Sequence, residues 1–375
     1  MTRIYGQRLE RARALMHRHG VDFLLVGPSA DLLYLLGLDS RQSERMTLLI
    51  LPQEAPAFIV LPQFEAPLLP ELPPGLQVHT WGETDNPARI AASLVASGTH
   101  THPGGLHCTL GVSDRLWSLF LLQLQSELPR AQFIASTQVL AAVRLLKDDD
   151  EARLLRESGA VADQVFSMIT EQTLSGRTEI EVAQKIQRLL EAGGLHVPGA
   201  PIVASGPNSA SPHHHAGNRV IEPGDAIVLD FGGTKEGYYS DITRTVFVGS
   251  RPAQDSEQAL VYNLVAEAQE AARKAARPGM TCEQLDAVAR TVIEAAGYGE
   301  YFNHRLGHGI GLDGHESPYI VSGNKTPLRK GMAFSIEPGV YLPGKFGVRI
   351  EDIVVMEDDG ARSCNEADRG LAVVK

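Results

Sequence analysis

The sequence predicts an α/β domain over residues 1–147 followed by an α+β domain over residues 148–375. Three observations carry this reading. The chain has 375 residues, more than one ordinary hydrophobic core accommodates. Helical and strand-like patterns alternate through roughly the first 140 residues, the signature of an α/β layer structure. At Asp148, Asp149, Asp150 and Glu151 an acidic run opens a long amphipathic segment, and acids favour a helix N-terminus.

In the first domain, YGQRLERARALMHRHG reads as a helix and VDFLLVG as a strand. MTLLIL, AFIVL and AQFIA follow as strands, LHCTLGV as an extended stretch, and PARIAASLVA and SDRLWSLFLLQLQ as helices. The proline-rich stretches between Pro52 and Pro74 read as surface connections. In the second domain, helices are expected at about 148–172, 178–193, 253–276 and 281–296. Between and after them, APIVASG, DAIVLDFGG, SDITRTVFVG, MAFSIEPGVYL and GVRIEDIVVM read as strands. No internal repeat or low-complexity segment is present.

Composition narrows the partners. Apolar residues make up 43% and charged residues 21%, the proportions of a soluble globular protein. A net charge of −11 argues against nucleic acid or an anionic membrane as the main partner. The N-terminal stretch lacks the apolar core of a signal peptide, and no apolar run is long enough to span a bilayer. Cys108, Cys282 and Cys364 are scattered and form no C-x-x-C pair, which suggests a reducing, cytoplasmic setting.

The candidate chemistry lies in two pairs of acids. Asp230 ends the apolar run AIVLD, and Asp241 opens the next strand, with Gly232, Gly233 and Gly237 between them. A hairpin centred between Lys235 and Glu236 would set these two carboxylates opposite each other. Glu337 in AFSIEPG and Glu351 in VRIEDIV form a second pair, with Gly344 midway in the turn-like LPGKFG. Like charges directly opposed across strands destabilise the pairing, and buried carboxylates need a partner or a metal. Ordinary surface acids or salt bridges would explain one such pair; two pairs in apolar runs make that reading weaker. Four carboxylates and one imidazole would balance two divalent cations, with oxygen-rich ligation suited to manganese, cobalt or zinc. Two adjacent metals polarise a carbonyl and activate a shared water, so the acids point to metal-assisted hydrolysis.

The stretch HRLGHGIGLDGHESP adds three histidines, His304, His308 and His315. His304 and His308 are four apart, which on a helix would suit a zinc peptidase. The glycines Gly307, Gly309 and Gly311 make a helix there unfavourable, so the spacing requires another structure.

Five blocks, GPNSASPHHH, VLDFGGTKEGYYSDITRT, GHGIGLDGHESP, SIEPGVY and GVRIEDIVVM, stand in the order seen in metallopeptidases of the pita-bread fold. The second domain thus resembles methionine aminopeptidase, aminopeptidase P and prolidase over roughly residues 149–375. The implied fold is an α/β N-terminal domain followed by an α+β pita-bread catalytic domain. The resemblance implies Asp230, Asp241, His308, Glu337 and Glu351 as ligands of two metal ions, Mn2+ foremost, with Asp241 and Glu351 bridging. It implies Glu337 as the acceptor of the proton from a bridging water, and His213 and His315 as contacts to the substrate or its tetrahedral intermediate. His304 is implied near a proline-side pocket, while His214 and His215 match no role. Arg349 shares a strand face with Glu351 and either orients a carboxylate ligand or binds a substrate carboxylate. Tyr238 and Tyr239, beside the first hairpin, are pocket candidates, with turn packing as the alternative.

Three functions follow from this pattern: a dinuclear metallopeptidase, a metal-free creatinase-like hydrolase, or a binding protein of the same fold without catalysis. The presence of all five matched ligands favours the first. An N-terminal domain of some 140 residues resembles prolidase and aminopeptidase P, which use it in dimerisation and in shaping the substrate site. The expected enzyme is therefore a homodimeric Xaa-Pro dipeptidase acting on small peptides with proline in second position. Aminopeptidase P is the alternative. Many prolidases grip the dipeptide carboxylate with an arginine ahead of the position of Glu337, whereas VSGNKTPLRKGM offers Lys325, Arg329 and Lys330 without a clear match.

Overall fold

The structure, a computed structural model, describes residues 2–98 and 107–375 and divides into two compact units, Met1–Arg144 and Leu145–Lys375. Met1 and Leu106, which opens the expected stretch LHCTLGV, lie outside the described residues.

The first unit contains β1 (Phe23–Val26), β2 (Leu48–Pro52), β3 (Phe58–Pro62), β4 (Gln77–Trp81), β5 (Thr109–Val112) and β6 (Gln132–Ala135) in one mixed sheet of order β4-β3-β2-β1-β5-β6. Strands β1, β2 and β3 are buried at every position, so their apolar runs read as continuous rather than alternating. The helices are α1 (Thr2–His19), α2 (Ala30–Leu36), α3 (Pro87–Gly98), α4 (Ser118–Glu127) and α5 (Thr137–Leu145), the last running one residue into the second unit. Ala88, Ala91, Ala92 and Val95 of α3 pack with Phe120 and Leu124 of α4 against Phe23, Ile50 and Val60 of the sheet. Helix α4 starts at Ser118, five residues later than the expected Ser113.

The second unit opens with α6 (Asp149–Thr170) and α7 (Glu179–Ala192), each started by a capping box. The acidic run does what its composition suggested: the Asp148 side chain accepts from Glu151 N, and Glu151 accepts in return from Asp148 N. The sheet strands are β7 (Ile202–Ser205), β8 (Ala226–Phe231), β11 (Ile242–Val248), β12 (Gly307–Gly309), β13 (Glu316–Ile320), β14 (Ala333–Ile336) and β17 (Glu351–Met356), ordered β13-β12-β14-β17-β11-β8-β7. β18 (Ala361–Ser363) pairs with β17, and β19 (Ala372–Val374) with β11. Two ribbons stand apart: β9 (Thr234–Lys235) with β10 (Tyr238–Tyr239), and β15 (Gly339–Leu342) with β16 (Phe346–Arg349).

Helices α8 (Glu257–Ala275) and α9 (Cys282–Ala295) pack Val261, Val265, Leu285 and Ile293 with Phe247, Phe334 and Val354. Helices α6 and α7 pack Val165, Ile169, Ile186 and Leu190 with Ile227, Leu229, Val246 and Val248. Alternate residues of β11 thus join different cores, and all seven are buried, so both faces of this strand are covered. Among the described residues no helix is long and apolar enough to cross a membrane.

The two acid-bearing hairpins differ in how they match expectation. Gly339 faces Arg349 in the β15–β16 ribbon and Ile336 faces Asp352 between β14 and β17. That register sets Glu337 level with Glu351, about a turn centred on Gly344 as its spacing suggested. The first hairpin is shifted by two residues. Asp230 pairs with Thr243, not Asp241, and Lys235 faces Tyr238. The two-residue turn is Glu236–Gly237, with φ of 50° and 86°. Both values are positive, as a turn matched to the strand twist requires, so the chain turns one residue later than the glycine pattern implied.

Candidate metal centre

Asp230 lies in β8, Asp241 just before β11, His308 in β12, Glu337 just after β14, and Glu351 opens β17. Five neighbouring sheet strands therefore bring these five side chains into one cavity of about 740 Å3. His213, His304, His315 and Arg349 line the same cavity, so nine of the eleven residues singled out from sequence converge there. Ligand atoms of Asp241, His308 and Glu351 lie within 4.8 Å of one another.

Tyr238 and Tyr239 are the exceptions, both packed in a neighbouring apolar cluster, and Tyr238 is a correction. It is 5% exposed, packs with Leu155 and Ile310, and donates from its hydroxyl to Glu151 Oε1 at 2.8 Å. Its ring and hydroxyl contacts set it against α6 rather than in the cavity. Tyr238→Phe is expected to lower unfolding free energy by about 1–2 kcal/mol, the cost of one buried hydrogen bond to a charged group. It is expected to leave kcat/KM unchanged; parallel denaturation and kinetic measurements check both.

His308 is not helical. Gly307 and Gly309 flank it in β12, where a Cβ would meet Ser335 O at 1.9 Å and Ser317 O at 2.2 Å respectively. The glycines thus admit the backbones of neighbouring segments, and the strand holds the imidazole between them. His308 Nδ1–H donates to Gly309 O at 3.1 Å, which leaves Nε2 as a lone pair directed to the acids, 3.3 Å from Glu337 Oε1. A backbone carbonyl on the second ring nitrogen is the usual arrangement behind a metal-binding histidine. Burial, then neighbouring His315, pushes His308 down to about 3, so the ring is neutral and able to ligate.

The acids are held at their rear. Ser335 Oγ accepts from His308 N at 2.9 Å and donates to Glu337 Oε1 at 3.0 Å. Thr243 Oγ1 donates to Glu351 Oε2 at 2.6 Å. Arg349 donates from Nη2 to Asp230 Oδ2 at 2.6 Å, from Nε to Thr243 Oγ1 at 3.1 Å, and from Nη1 to Tyr341 Oη at 2.8 Å. These contacts are those of an arginine that orients a carboxylate. Tyr341 in turn donates to His304 Nε2 at 3.0 Å, and His304 Nδ1–H donates to Arg305 O at 2.7 Å. Burial pushes His304 down to about 4, in keeping with a neutral ring whose two nitrogens are both engaged by protein.

Electrostatics show what the cluster lacks. Burial first, then neighbouring acids, push the carboxyls of Asp241 and Glu351 well above the ordinary range. Glu337 is pushed up to about 7 by burial, against the opposing pull of Arg349 and Ser335. The neighbouring acids meet too little positive charge to ionise together, even with Arg349 buried among them. Hard divalent cations supply that charge, and four carboxylates with one neutral imidazole form a donor set that fits them.

Five residues that pattern reading passed over complete the site. Ser335 and Thr243 lie two residues from Glu337 and Asp241, and strand alternation could have found them. Tyr341 and Glu179 reach the site through tertiary contacts alone. Arg305 lines the cavity with its guanidinium 4.3 Å from the Tyr319 ring centre and Nη2 3.4 Å from His315 Nδ1. Among the described residues it makes no ion pair with a carboxylate. The ring of His315 stacks on His308 at 3.7 Å between centroids.

The sequence pattern of metallopeptidase family M24 matches residues 153–358, and that of the creatinase/prolidase N-terminal domain matches residues 8–146. The chain belongs to metallopeptidase family M24. This M24 peptidase is 41% identical over 375 residues to a probable dipeptidase PepE of Mycobacterium tuberculosis, covering 99% of this chain and 97% of that protein. It is 34% identical over 370 residues to an Xaa-Pro dipeptidase of Lactobacillus helveticus, covering 98% of each. Its fold superposes on a recombinant prolidase from Thermococcus sibiricus with a TM-score of 0.92 at 37% identity, covering 99% of both chains. Family membership implies divalent metal ions, and the M24 peptidase offers the acidic and histidine side chains to hold them.

Proposed function

We propose that this M24 peptidase hydrolyses the Xaa-Pro bond of dipeptides with two divalent cations, manganese foremost, held by Asp230, Asp241, His308, Glu337 and Glu351. One observation carries the reading: a cavity walled by four carboxylates and a neutral imidazole is also lined by Arg305, a guanidinium with no carboxylate partner among the described residues. A dipeptide brings the carboxylate that Arg305 lacks, directly on its proline ring. When bound, the cations polarise the scissile carbonyl and lower the pKa of an attacking water.

The protein's own residues do the rest. Glu337 receives the proton of the attacking water and hands it to the leaving proline nitrogen. Its Oε1 stays oriented by Ser335 Oγ. His213 and His315 donate hydrogen bonds to the carbonyl oxygen as it gains negative charge. His304, Tyr341 and Arg349 form one hydrogen-bonded chain ending on Asp230, which fixes that carboxylate and presents the His304 ring as a wall for the proline side. The N-terminal unit serves dimerisation and shapes the substrate site of a cytoplasmic homodimer. This last part rests on the resemblance to prolidases and on the match to their N-terminal domain.

Metal removal tests the centre. Protons and cations compete for the same carboxyls. Asp241, Glu337 and Glu351 have folded-state pKa values raised above their ordinary ones, to about 7 for Glu337. Without metal, the stability they contribute is complete below the ordinary carboxylate range and is lost as pH rises through the folded values. Chelator-treated protein is therefore expected to melt lower at about pH 8 than at about pH 6, with manganese raising the melting temperature more at the higher pH. Chelation should abolish Leu-Pro hydrolysis, and reconstitution with manganese, cobalt or zinc should rank the metals. Unimpaired hydrolysis in metal-free protein would refute the proposal.

A further inference from the structure

Glu179, at the start of α7, is fully buried and is used by none of the steps above. It is not needed to start its helix, because Thr178 and Glu181 already form the capping box. Both its oxygens are instead occupied by donors from one segment, residues 205–217. Oε1 accepts from Ser205 N at 2.8 Å, Ser205 Oγ at 2.7 Å and Asn208 Nδ2 at 3.0 Å. Oε2 accepts from His214 Nε2 at 2.8 Å and Gly217 N at 3.2 Å. Burial alone would raise this carboxyl, but the donors from Ser205, His214 and Asn208 outweigh it and hold the group below its ordinary range.

The segment gathered in this way carries His213 into the metal cavity. The His213 side chain has no hydrogen bond to protein among the described residues, so its place depends on the backbone to either side. On one side Pro212 O accepts from Arg349 Nη1 at 3.3 Å. On the other side His214 is tied to Glu179. The helix start holds the far end as well: Ile180 N donates to Gly217 O at 3.0 Å and Glu179 N to Arg219 O at 3.1 Å.

We propose that Glu179 is a positioning residue: through His214 and both ends of the 205–217 segment it sets the place of His213 in the cavity. His214, which matched no family role, then acts as the link between a buried anion and the residue before it. This rests on the reading of His213 as a substrate contact.

The test uses the metal-loaded full-length protein with His214→Ala, Glu179→Gln, His213→Ala and the two double variants that contain His213→Ala. With Leu-Pro, His214→Ala is expected to lower kcat about tenfold while KM changes less, because a group that acts in the transition state has been displaced. Metal content should match the wild type. On the His213→Ala background the same change should have no further effect, and the crystal structure of His214→Ala should show residues 205–217 displaced with the metal ligands in place. Glu179→Gln should act in the same direction; if it fails to fold, His214→Ala decides. Full additivity with His213→Ala, an unchanged rate, or an unmoved segment would overturn the proposal. If His213→Ala alone leaves Leu-Pro hydrolysis intact, the substrate role of His213 fails, and the position of the segment in the variant crystal still decides whether Glu179 places it.

Discussion

Asp241→Asn and Glu351→Gln are each expected to lower kcat/KM for Leu-Pro by at least about a thousandfold, roughly 4 kcal/mol of transition-state stabilisation. Both substitutions keep the shape of the side chain and remove a charge. Ligand atoms of Asp241 and Glu351 lie with that of His308 within 4.8 Å of one another, and each loss removes a carboxylate proposed to hold both cations. Bound metal measured on the purified variants should fall together with activity. A second readout separates this from unfolding. Without metal the acids are held together against burial and mutual repulsion, with Asp241 and Glu351 both raised by that cause. The chelated variants should therefore melt higher than chelated wild type at about pH 8, although they are inactive. Wild-type rates in either variant would refute its ligand assignment.

Arg305→Met should discriminate between substrates. The substitution keeps much of the apolar stem over Tyr319 and removes the guanidinium. For Leu-Pro, kcat/KM is expected to fall about a hundredfold, close to 3 kcal/mol, the cost of leaving a substrate carboxylate without its charged partner. Most of that loss should lie in KM, because the carboxylate is gripped equally in ground and transition states. For Ala-Pro-Ala, whose carboxylate lies one residue further away, the change should be small. Equal losses on both peptides would assign Arg305 to His315, 3.4 Å from it, rather than to the substrate.

The parts of this site that sequence exposed were those governed by local pattern. Acids in apolar strands, a turn centred on Gly344 and capping residues before long helices are all readable over a few residues. The first hairpin was misplaced by two positions because Glu236, not glycine, takes the first left-handed turn position, φ 50°. Tyr238 looks like a pocket residue in sequence because its partner Glu151 lies 87 residues away, beyond any local pattern. Short elements were passed over. Helix α2 is seven residues long and depends on Ser29 and Gly37 at its ends, and β4 is largely exposed without clear alternation. Glu179 and Arg305 carry no local signal of a role. Glu179 reads as an ordinary helix-start acid until β7 and the 205–217 segment fold around it. Arg305 becomes informative only when the fold places it in the cavity without a carboxylate ion pair among the described residues.

The most direct measurement compares initial rates of manganese-loaded wild-type protein on Leu-Pro and on Ala-Pro-Ala. The proposed function requires rapid cleavage of the dipeptide and little cleavage of the tripeptide. Faster cleavage of Ala-Pro-Ala would contradict it and make the enzyme an aminopeptidase built on the same metal centre.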